Sequence, residues 1–183
     1  MPSDTDRTKH FRKLWTLVLS MVALGMAPLA VQVQAQTLPD GISGMAEVID
    51  ADIIRIGNQR VILWGIDAPE RRQTCRLNGG IWGCYDVAFR QLQLLAGRGE
   101  VNCVYYGDPD PFGRRFGVCE SGGQDLNAEM VKAGLALAYS EETDAYLPQM
   151  GEAIASGLGL WQIGAIFEEP WEFRRRETPG GFR

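Results

Sequence analysis

Three short runs rich in β-branched residues, at positions 44–50, 53–56 and 60–66, follow one another with almost no chain between them. The last two are separated only by Gly57-Asn58-Gln59, a turn tight enough to fold the chain straight back on itself. A three-strand meander is expected, and it commits the rest of the chain to covering a small sheet. From 85 to 96, Val87, Ala88, Leu92, Leu95 and Ala96 recur at helical spacing and Gly97 stops the pattern, which predicts a helix after the third strand. Positions 100–106 and 115–120 read as two further strands, and the turn-rich stretch from Gly107 to Gly113 is too long for a two-residue hairpin. Asp125 can cap a helix with Leu126, Met130 and Val131 on one face and Gly134 at its end. Thr143 or Asp144 can open another that reaches about Ser156. The pattern predicts an α+β fold, a five-stranded OB-type β-barrel with about three packed helices.

The N-terminus has a different character. Arg7, Lys9, Arg12 and Lys13 precede an apolar run over 14–31, and Val33-Gln34-Ala35 offers a small-residue cleavage site. Residues 1–35 therefore read as a signal peptide; an uncleaved anchor is the rival, disfavoured by Pro28 and the cleavage site. A linker at 36–43, a domain at 44–166 and a basic, aromatic tail at 167–183 follow. The expected product is periplasmic or secreted, monomeric and without stable membrane insertion. Cleavage would remove four basic and two acidic residues, leaving a chain more acidic than the −5 of the whole sequence. Salt-driven coating of nucleic acid needs clustered basic residues, so a polyanion must be met at a local site instead. Cys75, Cys84, Cys103 and Cys119 are disulfide candidates, even in number as an oxidising compartment favours. Three pairings are open; pairing neighbours, Cys75 with Cys84 and Cys103 with Cys119, suits the strand layout. A four-cysteine zinc site is the alternative, but no close Cys-x-x-Cys pair is present.

The sequence holds a single histidine, His10, inside the predicted signal peptide. Ser-His-Asp hydrolysis, Cys-His proteolysis, two-histidine phosphodiester cleavage and His-ligated zinc are thereby excluded from the mature domain. Carboxylates, arginines and backbone must suffice. Acidic residues do gather at predicted strand ends: Asp50 and Asp52, then Asp67, then Glu70 three further on. Asp52 and Asp67, with a backbone carbonyl near Ala68, are the hard oxygen donors that Ca²⁺ or Mg²⁺ takes, and Glu70 is spaced to position or deprotonate a water.

Val48-Ile49-Asp50-Ala51-Asp52, Gly65-Ile66-Asp67-Ala68-Pro69-Glu70, Phe112-Gly113-Arg114, and Asp125-Leu126-Asn127 through Gly134-Leu135-Ala136 together resemble the staphylococcal nuclease, or thermonuclease-like, family. The resemblance covers roughly residues 44–163, and the cysteines and the Trp-Glu-Phe-Arg-Arg tail look like its secreted bacterial branch. It implies a Ca²⁺-assisted attack of water on phosphorus in DNA or RNA. By motif position it implies Asp52, Asp67 and the Ala68 carbonyl as metal ligands, Asp50 as a charge behind them, Glu70 for the attacking water and Arg114 for the transition state. Two positions depart from the family pattern. Ile62 stands where the family has its first catalytic arginine, and Ile53 where it usually has threonine. Arg60, two residues before Ile62, is a candidate for compensation, and Arg71 or Arg72 could approach from the loop. A catalytically degenerate module that binds nucleic acid or protein is the alternative function.

Overall fold

The computed structural model describes residues 40–177, so the predicted signal peptide and the end of the tail lie outside the described residues. Within them the predicted meander forms as Ala46–Asp50 (β2), Ile53–Ile56 (β3) and Gln59–Leu63 (β4). It is preceded by Gly41–Gly44 (β1) and followed by the two-residue strand Ile66–Asp67 (β5). A small hairpin, Cys75–Leu77 (β6) and Gly80–Trp82 (β7), leads into helix α1, Cys84–Ala96. Then come Val101–Tyr106 (β8), Arg115–Ser121 (β9), Gln124–Asp125 (β10) and helix α2, Leu126–Lys132. Leu137–Ala138 (β11), helix α3 at Leu147–Ser156, a 3₁₀ turn at Gly159–Trp161, Ala165–Ile166 (β12) and helix α4 at Pro170–Glu177 complete the order.

The main sheet pairs in the order β1-β8-β9-β4-β3-β2, with β10 added to β9, and β4 runs parallel to β9. The α+β class holds. The expected closed five-stranded barrel does not: the path of pairing ends at β1 and β2, and among the described residues there are four α-helices, of which α1 and α2 pack on the main sheet. Two further differences have local causes. Gly41–Gly44 pairs with β8, so the chain joins the sheet inside the segment expected to be a linker. Helix α3 begins at Leu147 rather than at Thr143 or Asp144, because Thr143 spends its hydroxyl on the Ala145 N–H and Pro148 marks the first turn.

Strand alternation builds the core. Ile54, Ile56, Val61, Leu63, Val101, Cys103 and Cys119 point inward, against Leu92 and Leu95 of α1 and Leu126, Met130 and Val131 of α2. Each such side chain contributes about 1.5–3 kcal/mol on burial. Asp125 caps α2 as predicted, accepting the Ala128 N–H at 3.0 Å. Gly134, at φ 67°, meets the backbone of Leu158 and Gly159 so closely that a Cβ on either glycine would strike a carbonyl. That contact pins the end of α2 to the 3₁₀ turn and directs the C-terminal segment back across the domain.

The cysteines pair as Cys75–Cys84 and Cys103–Cys119, which sets the four-cysteine zinc alternative aside. The second bridge joins directly opposed residues of β8 and β9. The first lies in a separate cluster with Leu137 and Leu160, against which Trp82, Trp161, Phe167 and Trp171 pack. β12, at the end of the segment read as the domain, pairs with β6, and the segment read as a tail packs through α4, which buries Pro170 and Phe173.

Candidate active site

Asp67 is the centre of the polar constellation, and backbone contacts fix where it stands. Gly65, at φ 77°, donates its N–H to Glu142 at 2.6 Å, and its carbonyl accepts the Tyr139 N–H. The chain is thereby turned so that Ile66 and Asp67 pair with Ala138 and Leu137. The Asp67 side chain is 0% exposed. Pro69 and Glu70 follow in a loop held by Gln73, whose side-chain oxygen accepts the Glu70 N–H at 3.0 Å while its own N–H donates to the Glu70 carbonyl. Gln73 also donates through Nε2 to the carbonyl of Glu168, which ties this loop to the segment entering α4.

A buried carboxylate needs a counter-charge, and here α4 supplies it. Arg174 donates from Nη1 and Nη2 to the two oxygens of Asp67 at 2.9 and 2.6 Å, and from Nη1 to Glu70 at 2.5 Å. Its side chain is 16% exposed, against 63% and 57% for Arg175 and Arg176. Burial works against the charge of Arg174, yet its bonds to Asp67 and Glu70 outweigh that and raise its pKa. For Glu70 the balance runs the other way. Burial lifts its carboxyl above the ordinary range, Arg174 opposes the rise, and the charges of Asp67 and Asp50 add to it.

Asp50 stands on the outer side of this group. Its Oδ1 accepts the Ala51 N–H, and its Oδ2 lies 3.8 Å from Arg71, which stacks over Tyr85. Burial and the charge of Asp50 push the Tyr85 hydroxyl up to about 12. Asp52, buried in the turn between β2 and β3, accepts the Leu63 N–H on its carbonyl at 2.9 Å. This places the turn beside the strand leading to Asp67. Ala68 is buried in the core cluster.

Arg60 and Arg114 belong to the main sheet and the loop before β9. Asp110 shapes the 107–113 loop by accepting the N–H groups of Phe112 and Arg114 on Oδ1 and Nε of Arg114 on Oδ2, at 2.9, 2.8 and 2.5 Å. Burial of Asp110 opposes its charge, but these bonds prevail and hold its carboxyl below the ordinary value. Arg114 lines a pocket of about 330 Å³ with Arg55, Asn58, Arg60, Phe112 and Gly113. Arg60 stands opposite Arg55 in the β3–β4 register. Arg60 therefore sits with Arg114 and Arg55, whereas the hydrogen bonds to Asp67 and Glu70 come from Arg174.

Ile62 and Ile53, the two departures from the family pattern, prove to be direct cross-strand partners. Phe116 of β9 flanks Ile62 on its other side, and Ile62 is 0% exposed. An apolar patch thus occupies the strand position where an arginine was missed, and each isoleucine suits the other. A guanidinium introduced at 62 would be a buried charge among apolar neighbours. Ile62→Arg is expected to lower stability by about 3 kcal/mol, measured by urea unfolding, instead of restoring a phosphate clamp. Unchanged stability would mean that the side chain escapes to solvent.

The donor chemistry of Asp52, Asp67 and the Ala68 carbonyl is that of a hard cation, but the arrangement is not. Among the described residues no group of three or more His, Cys, Asp or Glu side chains is placed to hold a metal ion. Both oxygens of Asp67 are bonded to a guanidinium. With α4 docked and Arg174 in this position, the site does not fit the ion. Sequence reasoning missed Arg174, Gln73 and Asp110.

The profile of the staphylococcal nuclease homologue family matches residues 60–163. A succinoglycan biosynthesis protein, ExoI, of Rhizobium meliloti (strain 1021) is 32% identical over 127 residues, 66% of this chain and 65% of its own. An uncharacterized endonuclease of Haemophilus influenzae (strain ATCC 51907 / DSM 11121 / KW20 / Rd) is 32% identical over 120 residues, 64% of this chain and 61% of its own. The chain thus spans somewhat under two thirds of the length of these relatives.

Proposed function

The chain belongs to the staphylococcal nuclease homologue family, and from that premise we propose that it is an extracytoplasmic, metal-dependent nuclease hydrolysing phosphodiester bonds of DNA or RNA. The observation that carries the reading is a buried Asp67 three residues from a desolvated Glu70, in a domain that also holds an arginine-lined pocket. In this reading Glu70 takes the proton of the attacking water, a task for which its raised pKa suits it. Arg114, with its orientation held by Asp110, meets charge developing on the phosphate, and Arg60 and Arg55 steady the strand. Phe112, exposed beside them, offers a face for a base.

Nucleases of this family are generally metal-dependent. The ion proposed is Ca²⁺, on Asp52, Asp67 and the Ala68 carbonyl with Asp50 behind them, and it requires Arg174 to withdraw from Asp67. Two disulfides support a periplasmic or secreted location. Among the described residues no helix is long and apolar enough to cross a membrane. The protein is proposed to act as a monomer after removal of residues 1–35.

The test is hydrolysis of single-stranded DNA by the purified protein with added Ca²⁺ and with chelator. Cleavage that needs the ion is the expected result, and cleavage indifferent to chelation would sink the metal assignment. A folded protein that binds DNA without cutting it would favour the binding module, a reading to which the Ile53–Ile62 patch lends weight.

A further inference from the structure

Trp171, in the first turn of α4, lines another cavity that the phosphodiester reading does not use. It holds about 290 Å³ and shares no lining residue with the arginine pocket. Its aromatic lining is Tyr139, Trp161 and Trp171. The Tyr139 and Trp171 rings are 5.3 Å apart between centroids and inclined by 42°. Trp161 and Trp171 pack on the cluster around the Cys75–Cys84 bridge, and Phe167 braces Trp161 edge-on. The rings are thus held by the core, and a ligand does not have to assemble them.

The charged side chains in the lining are Glu141 and Glu169, both exposed, and no lysine or arginine joins them. Tyr139 donates its hydroxyl to Glu141 at 2.6 Å, which holds that carboxylate beside the ring. Either side of Glu169 the acids are already matched, Glu168 with Arg176 and Glu172 with Arg175, whereas among the described residues Glu169 forms no ion pair. An anion would meet two carboxylates here, and a neutral apolar ligand would leave them idle. An inorganic ion would gain little from the rings. A cation with an apolar body uses everything present: ring faces and carboxylates attract its charge, and its carbon atoms fill the cavity.

We propose that this pocket binds an alkylammonium cation, held between Tyr139, Trp161 and Trp171 with Glu141 and Glu169 at its charge. The site goes beyond the nuclease reading and does not depend on it.

Tryptophan fluorescence and calorimetry on the purified protein, titrated with choline and with n-butylamine, test this. Saturable binding of at least one is expected, and the tighter of the two tells a quaternary from a primary ammonium source. The uncharged partner of each, the dimethylbutanol isosteric with choline and n-butanol, should bind at least tenfold more weakly than its cation. Glu169→Gln should weaken cation binding about fivefold, the effect of one exposed charge at close range. Trp171→Leu should abolish it. Should Trp171→Leu fail to fold by circular dichroism, Trp171→Phe is read instead, and its smaller ring should weaken binding severalfold. Equal binding of a cation and its uncharged partner would make the pocket merely apolar and overturn the proposal. Undiminished binding in Glu169→Gln, or no saturation by either cation, would overturn it as well. None of these outcomes touches the nuclease reading, which stands or falls on cleavage.

Discussion

Arg174→Ala in metal-free buffer is expected to lower stability by about 3 kcal/mol, and the melting temperature by on the order of 10 °C. The size follows from what is left behind. Asp67 is wholly buried and would lose both hydrogen bonds from Nη1 and Nη2. Breaking one side of a buried pair is costly for that reason, even where the intact pair contributes little net stability. Asp67→Asn in the Arg174→Ala background removes the buried charge and should recover about half the loss. Thermal melts of the parent, both single variants and the double variant give the coupling directly. A single variant that melts with the parent would show that the guanidinium is not seated on Asp67.

The same pair explains what was legible in the sequence. Asp67 and Glu70 were identified because their motif is local, as was Asp125, whose capping partner Ala128 lies three residues away. The β2–β3–β4 meander and α1 followed from periodicity. Arg174 reaches Asp67 across 107 positions and Glu70 across 104, and no spacing rule connects residues so far apart. The three tail arginines look alike as a charge run; only the docking of Trp171 and Phe173 decides which of them turns inward. The strand order was equally out of reach, because the parallel pairing of β4 with β9 is a tertiary contact across more than fifty residues. Ile62 illustrates the same point differently. The missing arginine was evident from the motif, but only the register puts Ile53 and Phe116 on either side of it. What a lone departure suggests, a simple lost clamp, becomes an apolar position packed between two strands.

Glu70→Gln is expected to reduce turnover on single-stranded DNA by about a thousandfold, near 4 kcal/mol in barrier height, while leaving the fold intact. Glutamine keeps the length and accepts the Arg174 hydrogen bond, so the loop held by Gln73 should not move. It cannot take a proton. The burial that raises the Glu70 pKa brings the base closer to neutrality, where acceptance of a proton from water is most effective. The mature domain is proposed to contain no histidine that could substitute, its single one standing at position 10. The informative comparison is single-turnover cleavage beside a thermal melt. A large loss of rate with a melting temperature within a few degrees of the parent assigns Glu70 to chemistry. Cleavage at the parental rate would mean that another group activates the water, and the acidic cluster would then serve to seat Arg174 alone.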